Sequence, residues 1–222
     1  MRIAYRELGP GEFRSSIRAL VAVYAAAMNP PDRTLSGREA IMERHAASPG
    51  FRGLVAQADG QVAGFTYGFH GETGQWWHDM VAAALATRSG AAGSAAGSAV
   101  PDCTGPDYAK PDCTGPDCTG PAGWLDDSFE IAELHVLPRW QGNGIGRSLL
   151  LTVADGRPER TAVLSTADAP TRARRLYRAV GFTDLLTDFR FSGAEPPYAV
   201  MGATLPLTAD TGLPRSPRPS NW

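Results

Sequence analysis

Apolar residues fall at Ile17, Leu20, Val21, Tyr24 and Met28, the spacing of one helix face, which predicts an amphipathic helix over residues 17–28. Before it, residues 2–8 read as a short strand ended by Gly9-Pro10-Gly11; after it, Asn29-Pro30-Pro31 stops the helix. Ser36-Gly37-Arg38-Glu39 has the form of a capping box, in which the Ser and Glu side chains reciprocally satisfy free backbone N–H groups. A second helix is predicted from there to about His45. Residues 53–57 and 61–69 read as strands joined by a tight turn at Ala58-Asp59-Gly60, and residues 75–88 as a helix carrying Trp76, Trp77 and His78.

Periodicity then vanishes. Residues 89–123 are almost entirely Gly, Ala, Ser, Pro, Asp, Thr and Cys, with Pro-Asp-Cys-Thr-Gly-Pro three times, beginning at Pro101, Pro111 and Pro116. So few large apolar groups cannot offset the entropy of ordering, so a flexible insertion is predicted. The pattern resumes at Ser128, with a strand over 129–137, a helix over 144–154 and a strand over 161–165. A helix over 171–180 and strands over 182–191 and 198–205 complete it. The order β-α-α-β-β-α-(insertion)-β-α-β-α-β-β predicts a mixed α/β sheet with helices on its faces. Residues 1–207 read as one domain interrupted at 89–123, and the proline-rich residues 208–222 as a disordered tail.

A formal net charge of −2 and a pI of about 6.1 give no electrostatic reason to expect a nucleic-acid partner. No segment reaches the roughly 18 apolar residues of a spanning helix, so no membrane partner is expected. The most apolar stretch, 17–28, starts too late for an export signal, behind a strand-like segment and both Glu7 and Glu12. A bacterial, cytoplasmic protein is expected. Cys103, Cys113 and Cys118 occur only inside the repeats, with no His among them; their spacing fits no standard zinc site, so free thiols and no metal centre are expected.

Residues 130–147, EIAELHVLPRWQGNGIGR, carry the chemistry: a strand enters a glycine-rich turn that opens a helix. Glycines let a ligand approach the backbone, and the free N–H groups of a helix start favour phosphate oxygens. A Walker loop would need Lys in the turn, and a dinucleotide fingerprint would need Gly where Arg147 stands; both fail. Gln141-x-x-Gly144-x-Gly146 instead resembles the pyrophosphate loop of the GNAT superfamily of N-acetyltransferases, which bind acetyl-CoA. Downstream, Ala173 to Phe182 resembles that family's later helix, with Tyr177 followed by Gly181-Phe182. One departure stands out: the family often has Asn seven residues before the Tyr, to contact the cofactor arm, and here that residue is Pro170, which suits a first helical turn.

The resemblance implies a mixed, mostly antiparallel sheet flanked by helices, acetyl-CoA as cosubstrate, and a small-molecule or peptide amine that attacks the thioester directly. It leaves the acyl chain length open and admits a homodimer. It also implies acetyl-CoA contacts at Leu134, His135, Val136, Gln141, Gly142, Asn143, Gly144, Ile145, Gly146 and Arg147, with backbone N–H groups of residues 134–136 polarising the carbonyl. Tyr177 would be the acid at sulfur, and Glu130 or Glu133 the base. Three apart on a strand, the two glutamates point to opposite faces unless a bulge intervenes. Glu130 lies eleven residues before Gln141, where some histone-type members carry their base, whereas Glu133 sits nearer the expected carbonyl. His135 shares a face with Glu133. Trp76, Trp77, His78 and Asp79 lie where the family builds its acceptor site. Arg172, Arg174, Arg175 and Arg178 form a polar helix side from which one guanidinium could reach the CoA 3′-phosphate. The competing expectation is a non-catalytic CoA-binding domain that acts as an interaction module through its repeats.

Overall fold

Asp59 and Gly60 both have positive φ, 48° and 82°, the geometry of a two-residue hairpin turn, and they set Ala58 opposite Gln61. This turn joins β2 (Arg52–Ala58) to β3 (Gln61–Gly71) at the heart of a seven-stranded sheet. The computed structural model describes residues 2–30, 35, 37–95, 121–191 and 196–208. The other strands are β1 (Ile3–Leu8), β4 (Ser128–Val136), β5 (Thr161–Ala167), β6 (Thr183–Phe189) and β7 (Tyr198–Thr204). Their order is β1-β2-β3-β4-β5-β7-β6, and every neighbouring pair is antiparallel except β4 with β5. The expected mixed, mostly antiparallel sheet is present.

On one face, α1 (Pro10–Met28) and α2 (Arg38–His45) bury Phe13, Ile17, Leu20, Tyr24 and Met42 against Val55, Phe65, Tyr67 and Phe69. Further along that face, α3 (Trp76–Ala95) packs Val81 and Leu85 on Val163 and Val200. The opposite face carries α4 (Ile145–Ala154), whose Leu149, Leu150 and Val153 share a core with Ala162, Leu164 and Met201; Tyr177 of α5 (Arg172–Arg178) joins it.

Several boundaries differ from those the sequence predicts. The Gly9-Pro10-Gly11 run opens α1 as well as ending β1, because Pro10 brings a helical φ and no N–H to satisfy, and Phe13 N–H reaches the Gly9 carbonyl at 2.8 Å. The helix α2 starts after Gly37 with no side-chain cap; Ser36 of the predicted capping box lies outside the described residues. The helix α3 runs on to Ala95, into the predicted insertion, and packs on a 3-10 turn at Pro121–Trp124. The cysteine repeats and residues 209–222 lie outside the described residues. Pro170 sits just before the N-cap of α5, outside its first turn; Thr171 caps that helix by accepting Arg174 N–H at 3.1 Å. No helix among the described residues is long and apolar enough to cross a membrane, and no group of three or more metal-binding side chains occurs among them.

Candidate active site

The parallel ladder between β4 and β5 holds three pairs and ends at Glu130 opposite Val163, although β4 continues to Val136 and β5 to Ala167. Beyond that point the β5 side of β4 is unpaired. Leu137 N–H bonds Ala63 on β3 at 2.8 Å, and backbone groups alternate sides along an antiparallel strand, so Leu134 and Val136 turn theirs toward the gap. A cavity of about 370 Å³ lies against this stretch. Leu134, His135, Val136 and Tyr177 wall it, together with the glycine turn and the first turn of α4.

In that turn Gly142 and Gly144 take φ of 81° and 77°, which side chains with a Cβ rarely adopt. Gly144 is the N-cap of α4, and its carbonyl accepts Ser148 N–H at 3.0 Å. The first-turn N–H groups have no helical partners and face an anion's natural position. Gln141 ties the turn to the strand by donating to the Val136 carbonyl at 3.0 Å. Ile145, Gly146 and Arg147 join Gln141, Gly142 and Gly144 in the cavity wall. Asn143 is outside that wall; its amide folds back on the carbonyls of Trp140 and Gln141 at 3.2 and 3.3 Å.

A bulge decides where the two glutamates point. Glu133 pairs with Tyr67 and Ile131 with Gly68, leaving Ala132 unpaired. Glu130 pairs with Phe69, and Tyr67 and Phe69 are two apart on β3, so Glu130 and Glu133 share one face. Their surroundings differ sharply. Glu130 is 5% exposed, its Oε2 has no hydrogen-bond partner, and burial pushes its carboxyl up to about 8. Burial also acts to raise Glu133, but the hydrogen bond from His135 and the charge of Arg38 outweigh it and hold that carboxyl below the usual range. Glu133 Oε1 accepts Arg38 Nη1–H at 2.7 Å, and Oε2 meets His135 Nε2.

Tyr177 is buried; burial first, and then the negative charge of Glu133, raise its hydroxyl well above the ordinary tyrosine value. It is a protonated donor at neutral pH. Of the arginines on its helix only Arg172 borders the cavity. Arg174 is buried between Asp168 and Asp184, Arg178 pairs with Asp184, and Arg175 donates to the Pro170 carbonyl. Trp76, Trp77, His78 and Asp79 stand at the start of α3, outside the cavity wall: Trp77 bonds Ser165 Oγ at 3.1 Å, Trp76 is 61% exposed, and Asp79 accepts Gly74 N–H. Val163 faces the α3 core and Ser165 lies two residues on, so Trp77 shares the sheet face of the two glutamates. Sequence reasoning missed Arg38 beside Glu133, and Ala27 and Met28 in the cavity wall. No local pattern marks them, because their roles arise only when α1 and α2 cross β4.

The model of an acetyltransferase (GNAT) domain matches residues 116–184, the span that holds the bulged strand, the glycine turn and Tyr177. The GCN5-like protein acetyltransferase Rv2170 of Mycobacterium tuberculosis is 29% identical over 93% of this chain and 100% of its own. Among solved structures, a GNAT-family protein from Desulfovibrio desulfuricans superposes with a TM-score of 0.55 at 14% identity, covering 91% of this chain and 99% of that one. The yncA protein of Salmonella typhimurium, solved with its cofactor acetyl-CoA, gives 0.53 at 16% identity over 99% and 100%. The matched span, the mycobacterial relative and the shared fold all liken this chain to the acetyltransferases of the GNAT superfamily.

Proposed function

We propose that this acyltransferase moves the acetyl group of acetyl-CoA to a primary amine by direct attack, with Glu130 as base and Tyr177 as acid. The observation that carries the reading is the unpaired edge of β4, where Leu134 and Val136 offer backbone groups to a ligand between the α4 start and Tyr177. A pyrophosphate on the first-turn N–H groups of α4 would lead the pantetheine arm along this edge. That path brings the thioester toward Tyr177 and toward the last β4–β5 pair, at Glu130. An acceptor ammonium, at about 10 if lysine-like, needs a base, and a buried carboxylate poised near 8 is far better matched than one locked to Arg38. The mycobacterial relative is named a protein acetyltransferase, which makes a polypeptide lysine the first acceptor to try. Direct attack predicts intersecting double-reciprocal plots when both substrates are varied; parallel lines would mean an acyl-enzyme instead.

Two further outcomes test the framework. Gly144→Val puts a branched side chain at φ 77°, in open space facing the cavity, so calorimetry should find CoA bound about tenfold or more weakly. Unchanged affinity would move the pyrophosphate elsewhere. The single-domain reading predicts that replacing residues 96–120 by a short Gly/Ser linker leaves the melting temperature within about 4 °C, because no more than ~1 kcal/mol is at stake. A larger fall would mean that segment packs on the domain.

A further inference from the structure

Four side chains from three elements close a ring beside the cavity. Arg38 of α2 donates Nη1–H to Glu133 and Nη2–H to the Tyr24 hydroxyl, both at 2.7 Å, and its guanidinium lies 4.2 Å from the Tyr24 ring centre. Glu133 holds His135 Nε2, and the Tyr24 ring stands edge-on to the imidazole, centroids 5.0 Å apart at 88°. Phe65 lies 5.5 Å from the same imidazole. The ring is only 9% exposed. A charged carboxylate at Nε2 takes that nitrogen's hydrogen, which leaves Nδ1 as the ring nitrogen placed to accept a proton. Among the described residues Nδ1 has no hydrogen-bond partner, and His135 is part of the cavity wall with Leu134, Val136 and Tyr177.

An ammonium that becomes an amide sheds two protons, and a single carboxylate accepts one. We propose that His135 takes the second, with Glu133 as its orienting carboxylate and Arg38 and Tyr24 as positioning residues. The inference rests on the direct-attack reading above. Glu130 accepts the first proton and leaves a free amine. Its nitrogen lone pair forms the N–C bond, and the carbonyl π pair moves to oxygen. The adduct nitrogen, now positive, gives its proton to His135 Nδ1. The oxygen pair then re-forms the carbonyl, the C–S bond breaks with its electrons on sulfur, and Tyr177 protonates the thiolate. The imidazolium restores the tyrosine proton through solvent, and Glu130 releases its own. The sum is one ammonium and acetyl-CoA going to amide, CoA thiol and one proton.

The test is steady-state kinetics of His135→Gln and His135→Ala beside the parent, with a lysine peptide and acetyl-CoA. Gln can keep an N–H on Glu133 but offers no basic nitrogen. Its kcat should fall about 10²-fold while acetyl-CoA affinity by calorimetry stays unchanged. Added imidazole should raise kcat of His135→Ala about tenfold or more by supplying the missing base. A His135→Gln kcat within threefold of the parent would overturn the role. So would a loss that tracks weakened acetyl-CoA binding and shows no response to imidazole, which is what a purely structural histidine gives. A parent that binds acetyl-CoA yet turns over no amine would overturn the transfer reading itself, a result separable from either.

Discussion

Glu130→Gln is expected to lower kcat by about 10²–10⁴-fold with little change in acetyl-CoA affinity, because the amide keeps the side chain's shape and removes its ability to accept a proton. The pH dependence identifies the cause. Burial puts Glu130 at about 8, so in the parent kcat/KM should rise with pH until about 8 and then bend. In the variant that bend should vanish, and the residual rate should climb with the free-amine fraction toward about pH 10. Stability should move the opposite way. A carboxyl raised in the folded state contributes fully below its ordinary value of 4.5, and that contribution is lost as pH rises through about 8. At pH 9 the Gln variant should therefore be more stable than the parent by something on the order of a few kcal/mol, since nothing charged remains to be buried. Chemical denaturation at pH 5 and pH 9 reads this directly. An unchanged pH–rate profile would transfer the base role away from Glu130.

Tyr177→Phe should produce a loss of similar size by a different route. The ring packs in the core with Phe182, centroids 5.8 Å apart, and substitution keeps that contact. Only the hydroxyl goes. CoA thiolate, near 8.5 as a thiol, leaves more easily when it is protonated, and a tyrosine raised by burial still holds its proton throughout the working range. Because sulfur gains charge only on the way to products, the effect belongs on kcat, about 10²–10⁴-fold, with the melting temperature and CoA affinity almost unmoved. Activity within threefold of the parent would leave Tyr177 as a core aromatic and nothing more.

The glycine turn, the Tyr177 helix and the β2–β3 hairpin were legible in the sequence because each is a local constraint. Positive φ at Asp59, Gly60, Gly142 and Gly144 leaves a mark in residue type, and α5 with its Gly181 turn is fixed within a dozen residues. The face of Glu130 was not legible. It depends on whether Ala132 bulges, and that is decided by the register of β3, some sixty residues away in the chain, so the alternation rule alone sets the two glutamates on opposite faces. Arg38 was invisible for the same reason, lying 95 residues before the carboxylate that it neutralises. The arginines of α5 were legible only as a polar side from which one guanidinium could reach a phosphate. Arg172 borders the cavity, whereas Arg174 is buried between two aspartates and serves the fold, a pairing that no local pattern marks. Trp76 and Trp77 read equally as acceptor-site or core aromatics in the sequence; Trp76 lies against Phe191, just past the end of β6, and Trp77 donates to Ser165 Oγ on β5.

Acetyl transfer to an amine is tested most directly by CoA-thiol release from acetyl-CoA, measured against a panel of lysine peptides, polyamines and small primary amines, with CoA affinity titrated on the same preparation. The account predicts amine-dependent thiol release with at least one acceptor class, the acetyl group recovered on that acceptor's nitrogen, and collapse of the rate in both Glu130→Gln and Tyr177→Phe. Tight CoA binding with no amine-dependent release across the panel would contradict it, leaving a domain that holds the cosubstrate without performing the transfer.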